Sequence, residues 1–261
     1  MESALQADRA QEIRKYYTSL HDAWGAQHWW PAETQFEVIV GAYLTQNTAW
    51  TNVESALNNL RRADLLTVEG IRVVKLAGLQ RLIRPSGYFH QKAARLKTFV
   101  RFLDEHYGGS LQKLFSQPTE KLRGELLSLN GVGPETADSI LLYAGNHPVF
   151  VVDAYTRRII DRHAIAPGNA HYEDIRKLFE QSLGPVAEIQ EEHPLETPRP
   201  LESCIRGAAH PPSAMSTTHR TALVQVYNEM HGLIVGVGKI YCRKTTPACD
   251  ACPLQKYLPP E

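Results

Sequence analysis

The sequence lacks the features that mark membrane proteins and secreted proteins. No apolar run reaches the roughly 20 residues that a membrane helix requires, and the first residues lack the basic and then apolar pattern of a secretory signal. We therefore expect a cytoplasmic protein with no membrane partner. The formal net charge is zero, so no overall basic charge marks a nucleic-acid partner. Local basic patches and backbone amides still suffice for a few phosphate contacts.

Cysteine is scarce and unevenly placed. Only four cysteines occur in 261 residues, and three of them, Cys242, Cys249 and Cys252, stand in the last twenty. Such clustering indicates metal ligation in a reducing compartment more than a disulfide framework. Soft thiolates at this spacing suit an iron–sulfur site.

Alternating strand patterns are absent, and the periodic apolar segments predict an all-α fold. The length allows one large domain or two modest ones, and 43% hydrophobic and 21% charged residues are ordinary for a globular protein. Helices are predicted over residues 4–23, 34–47, 51–62, 67–84, 88–107, 119–128, 134–145, 154–164, 171–182 and 217–240. Residues 185–216 contain six prolines and little periodicity, which predicts a flexible insertion.

A Gly-Val-Gly turn separates two of the predicted helices. Residues 129–137 read Leu-Asn-Gly-Val-Gly-Pro-Glu-Thr-Ala. Gly131 and Gly133 can take backbone angles that most residues avoid, and Pro134 suits a first helical turn. Successive N–H groups at the start of a helix bind a phosphate oxygen whatever the DNA sequence. Taken alone, such a short motif more often marks a plain tight turn between packed helices.

Asp153 follows Val151 and Val152 and precedes a predicted helix. An aspartate at this place commonly caps the helix N-terminus. A carboxylate also stabilises the positive charge of the oxocarbenium-like state in glycosidic cleavage, or orients water. The two roles are compatible in one residue.

The hairpin, Asp153 and the cysteine motif together resemble the endonuclease III superfamily of DNA glycosylases. The resemblance runs from about residue 30 to the C-terminus, excluding residues 185–216. It implies two α-helical domains that flank a central DNA-binding cleft. One domain would be a six-helix domain over 31–147 that includes the helix-hairpin-helix. The other would combine 1–30 with 148–261 and carry the C-terminal cysteine motif. The residues expected to contact DNA are Gln46, Asn47, Gly131, Val132, Gly133 and Thr136.

The same resemblance makes Asp153 the catalytic residue. In bifunctional members of the superfamily a lysine of the hairpin forms a Schiff base with the sugar, which leads to strand cleavage. The hairpin position here is Glu135, which cannot form that adduct. We expect no other lysine in the hairpin or near Asp153, and therefore a monofunctional enzyme without lyase activity.

Two adjacent tryptophans precede the first long apolar helix. Residues 28–31 read His-Trp-Trp-Pro, and Thr45-Gln46-Asn47-Thr48 follows. Tryptophans are more often core anchors, but two adjacent ones do not easily both point into one helix-packed core. We therefore expect them to line a groove or pocket, where aromatics stack on a base flipped out of the duplex.

This arrangement is similar to the bacterial type III 3-methyladenine DNA glycosylases. The similarity implies a base pocket formed by Trp29, Trp30, Pro31, Trp50 and Glu135. A methylated adenine carries positive charge, which aromatic faces favour by about 0.5–2 kcal/mol each. Elsewhere in the superfamily the glutamine at the position of Gln46 fills the gap left in the duplex, and the alternative for this residue is a helix-end hydrogen bond.

The family's cysteine motif is incomplete in this chain. A fourth cysteine is expected after five further residues, but that position is Leu258, and the one other thiol is Cys204. A [4Fe-4S] cluster would need Cys204 or a non-protein ligand. A three-iron or labile cluster and an empty site are the alternatives. The spacing of the three cysteines favours a cluster, with a structural role.

The sequence therefore predicts a monomeric, monofunctional DNA glycosylase of base excision repair, associated with the bacterial nucleoid. Its expected reaction is hydrolysis of the N-glycosidic bond of 3-methyladenine and other alkylated purines in double-stranded DNA. A glycosylase for mismatched or deaminated bases and a non-catalytic DNA-binding module are the alternatives. Basic residues that could flank the DNA backbone, or simply form solvated faces, are Arg84, Lys92, Arg95, Lys97, Arg157 and Arg158.

Overall fold

The structure is a computed structural model that describes residues 2–192 and 210–260. Within those ranges every regular element is helical, so the predicted all-α fold is confirmed. No helix in this part of the chain is long and apolar enough to cross a membrane.

The chain divides into two compact units. Unit 1 combines Met1–Pro31 with Pro148–Glu261, and unit 2 is Ala32–His147. Unit 2 contains α2 (Gln35–Leu44), α3 (Trp50–Arg62), α4 (Val68–Val73), α5 (Leu76–Leu82), α6 (Phe89–Tyr107), α7 (Leu111–Phe115), α8 (Thr119–Ser128) and α9 (Pro134–Ser139), which continues as a π-turn over Ile140–Ala144. Unit 1 contains α1 (Glu2–Trp24), α10 (Ala154–Arg162), α11 (Tyr172–Glu192) and α12 (Ala222–Ile240). Short 3₁₀ turns lie at Arg84–Ser86, Cys249–Ala251 and Gln255–Tyr257.

Helix α2 forms the centre of unit 2. All of its residues from Phe36 to Leu44 are buried, as expected for a helix that is apolar on every side. The hydroxyl of Thr34 accepts a hydrogen bond from the N–H of Glu37 at 3.1 Å and so caps the helix. Helices α3, α6 and α9 all contact α2, so this helix fixes the packing of the unit.

Helix α12 has the corresponding role in unit 1. It is buried from Val226 to Gly238 and contacts α1, α10 and α11. A Cβ atom on Gly238 would overlap the ring of Tyr155. Glycine at this position therefore lets α10 lie close against α12, which places the start of α10 beside the buried helix.

Unit 2 contains two more helices than predicted, eight instead of six. The single helix predicted over 67–84 is two helices, α4 and α5, because Val74 and Lys75 adopt extended backbone between them. The short helix α7 was not predicted. Its hydrogen bonds are few, and only Leu114 of its five residues is buried, so it leaves little periodic signal in the sequence.

The predicted insertion 185–216 begins too early. Helix α11 continues through Pro185 to Glu192, although a proline inside a helix costs about 3 kcal/mol. Leu183 and Ala187 are buried on either side of the proline, and α11 packs on α1 and α12. This packing offsets the missing hydrogen bond. Residues 193–209, which include Cys204, lie outside the described residues.

Candidate functional site

The Gly-Val-Gly turn forms a tight connection between α8 and α9. The N–H of Val132 donates to the carbonyl of Leu129 at 3.1 Å. Gly131 has φ +79, in the left-handed region that favours glycine, and a Cβ atom on it would overlap the guanidinium of Arg95. Gly133 has φ −92 and no atom within 4 Å of a Cβ position. Of the two positions, only 131 requires glycine, both for its left-handed backbone and for the close approach of Arg95.

Gln46 is bound to this hairpin. Its Nε2 donates to the carbonyl of Gly131 at 3.0 Å and to Oγ1 of Thr136 at 2.9 Å. Its Oε1 accepts from Nη1 of Arg95 at 2.6 Å. The next residue, Asn47, has φ +55, a left-handed conformation that asparagine tolerates better than most residues. In the structure Gln46 thus has hydrogen bonds at a helix end, and no local motif indicates that Arg95 completes them.

Glu135 lies in the first turn of α9 and is exposed. An acidic side chain there is favoured by the partial positive charge of a helix N-terminus. Trp50 is the first residue of α3 and is partly exposed. These two residues of the predicted base pocket belong to unit 2, whereas Trp29, Trp30 and Pro31 belong to unit 1.

Trp29 and Trp30 are both buried. Each is 5% exposed, and their rings meet edge to face with centroids 5.4 Å apart, across a cis peptide bond. The expectation that two adjacent tryptophans would not both be buried was therefore wrong. Gly232 explains how Trp29 fits against α12, because a Cβ atom there would lie 3.1 Å from the Cβ of Trp29.

The segment before Trp29 is held by a buried acid. Oε2 of Glu229 accepts from the backbone N–H of Gln27 at 2.8 Å, and Oε1 accepts from Nε2 of Gln225 at 2.9 Å. Burial raises the pKa of Glu229 to about 7, although the hydrogen bond from Gln27 and the charge of Arg220 oppose the rise. The carbonyl of Gln27 accepts from the N–H of His210 at 3.2 Å.

Asp153 caps helix α10 through a capping box. Its Oδ1 accepts from the N–H of Thr156 at 2.7 Å and from the hydroxyl of Thr156 at 2.9 Å. Its Oδ2 lies 3.6 Å from Nε2 of His231. Burial alone would raise the pKa of Asp153, but His231 and Thr156 together hold it below the usual value. The carboxylate is therefore anionic at neutral pH, with one oxygen engaged by the cap and the other facing an imidazole.

One lysine outside the hairpin interacts electrostatically with Asp153. Nζ of Lys239, on α12, sits over the ring of Trp29 at 5.7 Å from its centroid. Burial lowers the pKa of Lys239, and the charge of Asp153 partly offsets this effect. Lys239 follows Asp153 by more than eighty residues in the sequence, so only the packing of α12 against α10 brings the two groups together.

Most of the basic residues considered for the DNA backbone are engaged within the protein. Lys92 is 1% exposed and donates to the carbonyls of Leu44 and Ser86 at 2.8 and 2.7 Å. A phosphate-binding role for this residue is wrong, because its ammonium group is buried at the end of α2. The side chains of Lys97, Arg157 and Arg158 also donate to backbone carbonyls. Arg84 is exposed.

The three C-terminal cysteines line one cavity. Its walls are Arg162, His163, Val237, Tyr241, Cys242, Cys249, Cys252, Gln255 and Leu258. Nη1 of Arg162 donates to Sγ of Cys242 at 3.0 Å, and burial raises the pKa of the Cys252 thiol. Leu258, at the position of the missing cysteine, supplies a further wall. Among the described residues no group of three or more histidine, cysteine, aspartate or glutamate side chains could hold a metal ion.

Thiol side chains are the ligands that iron–sulfur clusters use. Three cysteines line one cavity, and the guanidinium group of Arg162, which donates to Cys242, can neutralise thiolate charge there. The side of the cavity formed by Leu258 offers no ligand atom. The lining therefore contains three thiols and no fourth thiol for such a group.

Comparison with known proteins identifies the family. Residues 40–185 match the HhH-GPD superfamily of base excision DNA repair proteins. The chain is 41% identical, over 97% of its length and 98% of the relative, to a protein of Methanocaldococcus jannaschii described as a "Putative DNA repair glycosylase".

Solved structures agree in fold. The H. pylori 3-methyladenine DNA glycosylase bound to 1,N6-ethenoadenine has a TM-score of 0.67 and 25% identity, over 87% of this chain and 95% of that one. A trapped endonuclease III–DNA covalent intermediate has a TM-score of 0.66 and 19% identity, over 95% of both chains. The chain belongs to the HhH-GPD superfamily of base excision DNA repair proteins and is a DNA glycosylase.

Proposed function

We propose that this glycosylase hydrolyses the N-glycosidic bond of 3-methyladenine and related alkylated purines in double-stranded DNA, acting as a monomer and leaving the abasic strand intact. The observation that carries the proposal is the carboxylate of Asp153. It is anionic, largely buried, and has one oxygen outside the capping box. A fixed anion of this kind stabilises an oxocarbenium-like sugar.

The chemistry of the leaving base supports an alkylated purine. An N3-methylated adenine carries positive charge and leaves without a dedicated acid, so the protein needs only to stabilise the sugar cation and admit water. The likeness to the H. pylori 3-methyladenine enzyme supports the same substrate class. Trp29, Trp30, Pro31, Trp50 and Glu135 are the proposed base-pocket residues, while Gln46 and the hairpin from Gly131 to Thr136 are proposed to contact the DNA.

A lesion panel tests the substrate. Duplexes containing 3-methyladenine, 7-methylguanine, hypoxanthine, uracil or an oxidised base would be incubated with enzyme in excess, and free base would be measured. Release of the methylated purines, and no other base, is expected. Preference for uracil or hypoxanthine would instead establish an enzyme for deaminated bases.

Asp153→Asn tests the catalytic residue. Asparagine is also a good N-cap, so the variant should fold and bind DNA, while base release should fall by at least about 100-fold. The exposed Asp64→Asn is the matched control and should leave the rate unchanged. If wild type and Asp153→Asn both bind DNA and neither releases any base, the protein is a binding module.

Borohydride trapping tests the monofunctional assignment. Glu135 replaces the lysine of the hairpin, so no covalent adduct with an abasic duplex is expected. Lys239 is the one amine described above that interacts with Asp153, and Lys239→Gln is therefore the informative variant. A wild-type adduct that disappears in Lys239→Gln would overturn the assignment and identify α12 as the source of the nucleophile.

We also propose that Cys242, Cys249 and Cys252 hold an iron–sulfur cluster of the [4Fe-4S] type. It would fix the C-terminal segment of unit 1 and supply no catalytic step. Protein purified without air should contain iron and absorb in the visible range. Leu258→Cys adds a thiolate to the side of the cavity that lacks one and should slow the loss of iron in air. Cys204→Ser should accelerate the loss of iron only if Cys204 completes the cluster. Absence of iron from both wild type and Leu258→Cys would overturn the cofactor proposal.

A further inference from the structure

We infer that His231 is a positioning residue for Asp153 and fixes the orientation of the Oδ2 atom of that carboxylate during base excision. The inference rests on the proposed function, because it gives a partner to the carboxylate that function requires. His231 lies in the middle of α12, in no motif that the sequence offered.

The two oxygens of Asp153 have different partners. Both hydrogen bonds from Thr156 reach Oδ1, which fixes the carboxylate to the first turn of α10. Oδ2 is left to face Nε2 of His231 at 3.6 Å. An imidazole at this distance attracts the carboxylate when protonated and offers a long N–H contact when neutral. The atom that faces His231 is therefore the carboxylate oxygen that the capping box does not engage.

The imidazole has little freedom to move away. His231 is 4% exposed, and its ring meets those of Trp29 and Phe150 edge to face, with centroids 6.3 and 6.4 Å away. The closeness of α10 to α12 at Gly238 and Tyr155 fixes the distance between the two helices. The orientation of Oδ2 is thus set by packed side chains on rigid elements, as preorganised sites require.

Four other titratable groups surround the pair of Asp153 and His231, and they have other contacts. Lys239 and Tyr155 both interact with Asp153 through charge. Glu229 accepts a hydrogen bond from Gln27, and the ring of His210 is tilted against that of Trp29, with centroids 5.5 Å apart. His231 is the only one of these groups with a described ion-pair contact to the carboxylate.

Single-turnover excision from a 3-methyladenine duplex tests the inference with two variants. In His231→Gln an amide nitrogen lies close to the position of Nε2, whereas in His231→Leu the side chain fills the space without a hydrogen-bond donor. His231→Leu should lower the rate about 10- to 100-fold, the range for partners that orient a reactive group, with unchanged DNA affinity. His231→Gln should retain the rate to within about threefold. The exposed His219→Leu is the matched control.

The pH profile separates positioning from mere packing. Asp153 must be ionised to act, so the wild-type rate falls as pH drops through the lowered pKa of Asp153. In His231→Leu that pKa rises, because a group that favours the carboxylate has been removed, and the acid limb moves to higher pH. A structural role alone would leave the acid limb in place and would affect Gln and Leu variants alike. Either result would overturn the inference.

A double-mutant cycle makes the test independent of the substrate. The thermal stabilities of Asp153→Asn, His231→Leu and the double variant at neutral pH are compared with wild type. Contacting groups should give a non-additive change in Tm, whereas additive changes would refute the contact. If no lesion is excised but coupling is found, the proposed function fails and the contact stands.

Discussion

Glu229→Gln should change how the stability of the protein depends on pH. Glu229 is 4% exposed, and its pKa rises from 4.5 to about 7, chiefly through burial. Between these pH values the unfolded chain is ionised at this residue while the folded chain is protonated. The folded state then binds more protons, so the free energy of unfolding falls as pH rises through this window.

The size of the effect follows from the pKa difference. Each pKa unit corresponds to about 1.4 kcal/mol, which gives about 3 kcal/mol of stability lost between pH 4.5 and pH 7.5. Glutamine keeps a carbonyl for the N–H of Gln27, and the amide of Gln225 can rotate to accept from the new NH₂ group. The variant should therefore keep the contact and lose the titration.

Urea unfolding at several pH values between 4.5 and 8 measures this difference. The stability of Glu229→Gln relative to wild type should increase by about 3 kcal/mol across the range, because all other titrations are common to both proteins. Glu54→Gln, at an exposed position of α3, should give a difference that does not vary with pH. A constant difference for Glu229→Gln as well would refute the reasoning and would mean that Arg220 compensates for burial.

Further predictions concern unit 2. Gly131→Ala should weaken DNA binding and lower the free energy of unfolding by about 1–2 kcal/mol, since φ +79 is strained for alanine and the new methyl group meets Arg95. Gly133 has φ −92 and open space around its Cβ position. The free energy of unfolding of Gly133→Ala should therefore lie within about 0.5 kcal/mol of the wild-type value. Fluorescence anisotropy and urea unfolding would measure both. Asp138→Asn should destabilise the protein by about 3–5 kcal/mol in urea unfolding, because Arg123 forms two hydrogen bonds with this fully buried carboxylate, at 2.7 and 3.1 Å. A loss below about 1 kcal/mol would show that water reaches Arg123.

The elements whose signals are local were predictable from the sequence. Helix α8 has its predicted bounds, and the all-α class follows from periodicity alone. Asp153 begins α10 as a capping residue because the side chain of an N-cap bonds to the backbone only three residues away. Gly131 was identifiable for a similar reason, since a left-handed turn residue favours glycine.

The groups that tertiary packing brings together were not predictable. His231 and Lys239 look like ordinary positions on a buried helix, and only the approach of α10 places them near Asp153. Arg95 reaches Gln46 across forty-nine positions of the chain. Pro185 gave a misleading signal, because the burial of Leu183 and Ala187 outweighs the local preference to end the helix. Local chemistry identified the capping aspartate, and packing decided what surrounds it.

The capping box at the start of α10 links folding to evolution in this chain. Loss of any N-cap there would cost about 1 kcal/mol, so selection for a stable fold alone would retain a capping residue at position 153. Selection for base excision would additionally demand a carboxylate. A lineage that kept DNA binding but abandoned the reaction is then expected to drift to asparagine, serine or threonine at this position and not to alanine. Among relatives, the residue at position 153 would thus distinguish working enzymes from descendants that only bind DNA.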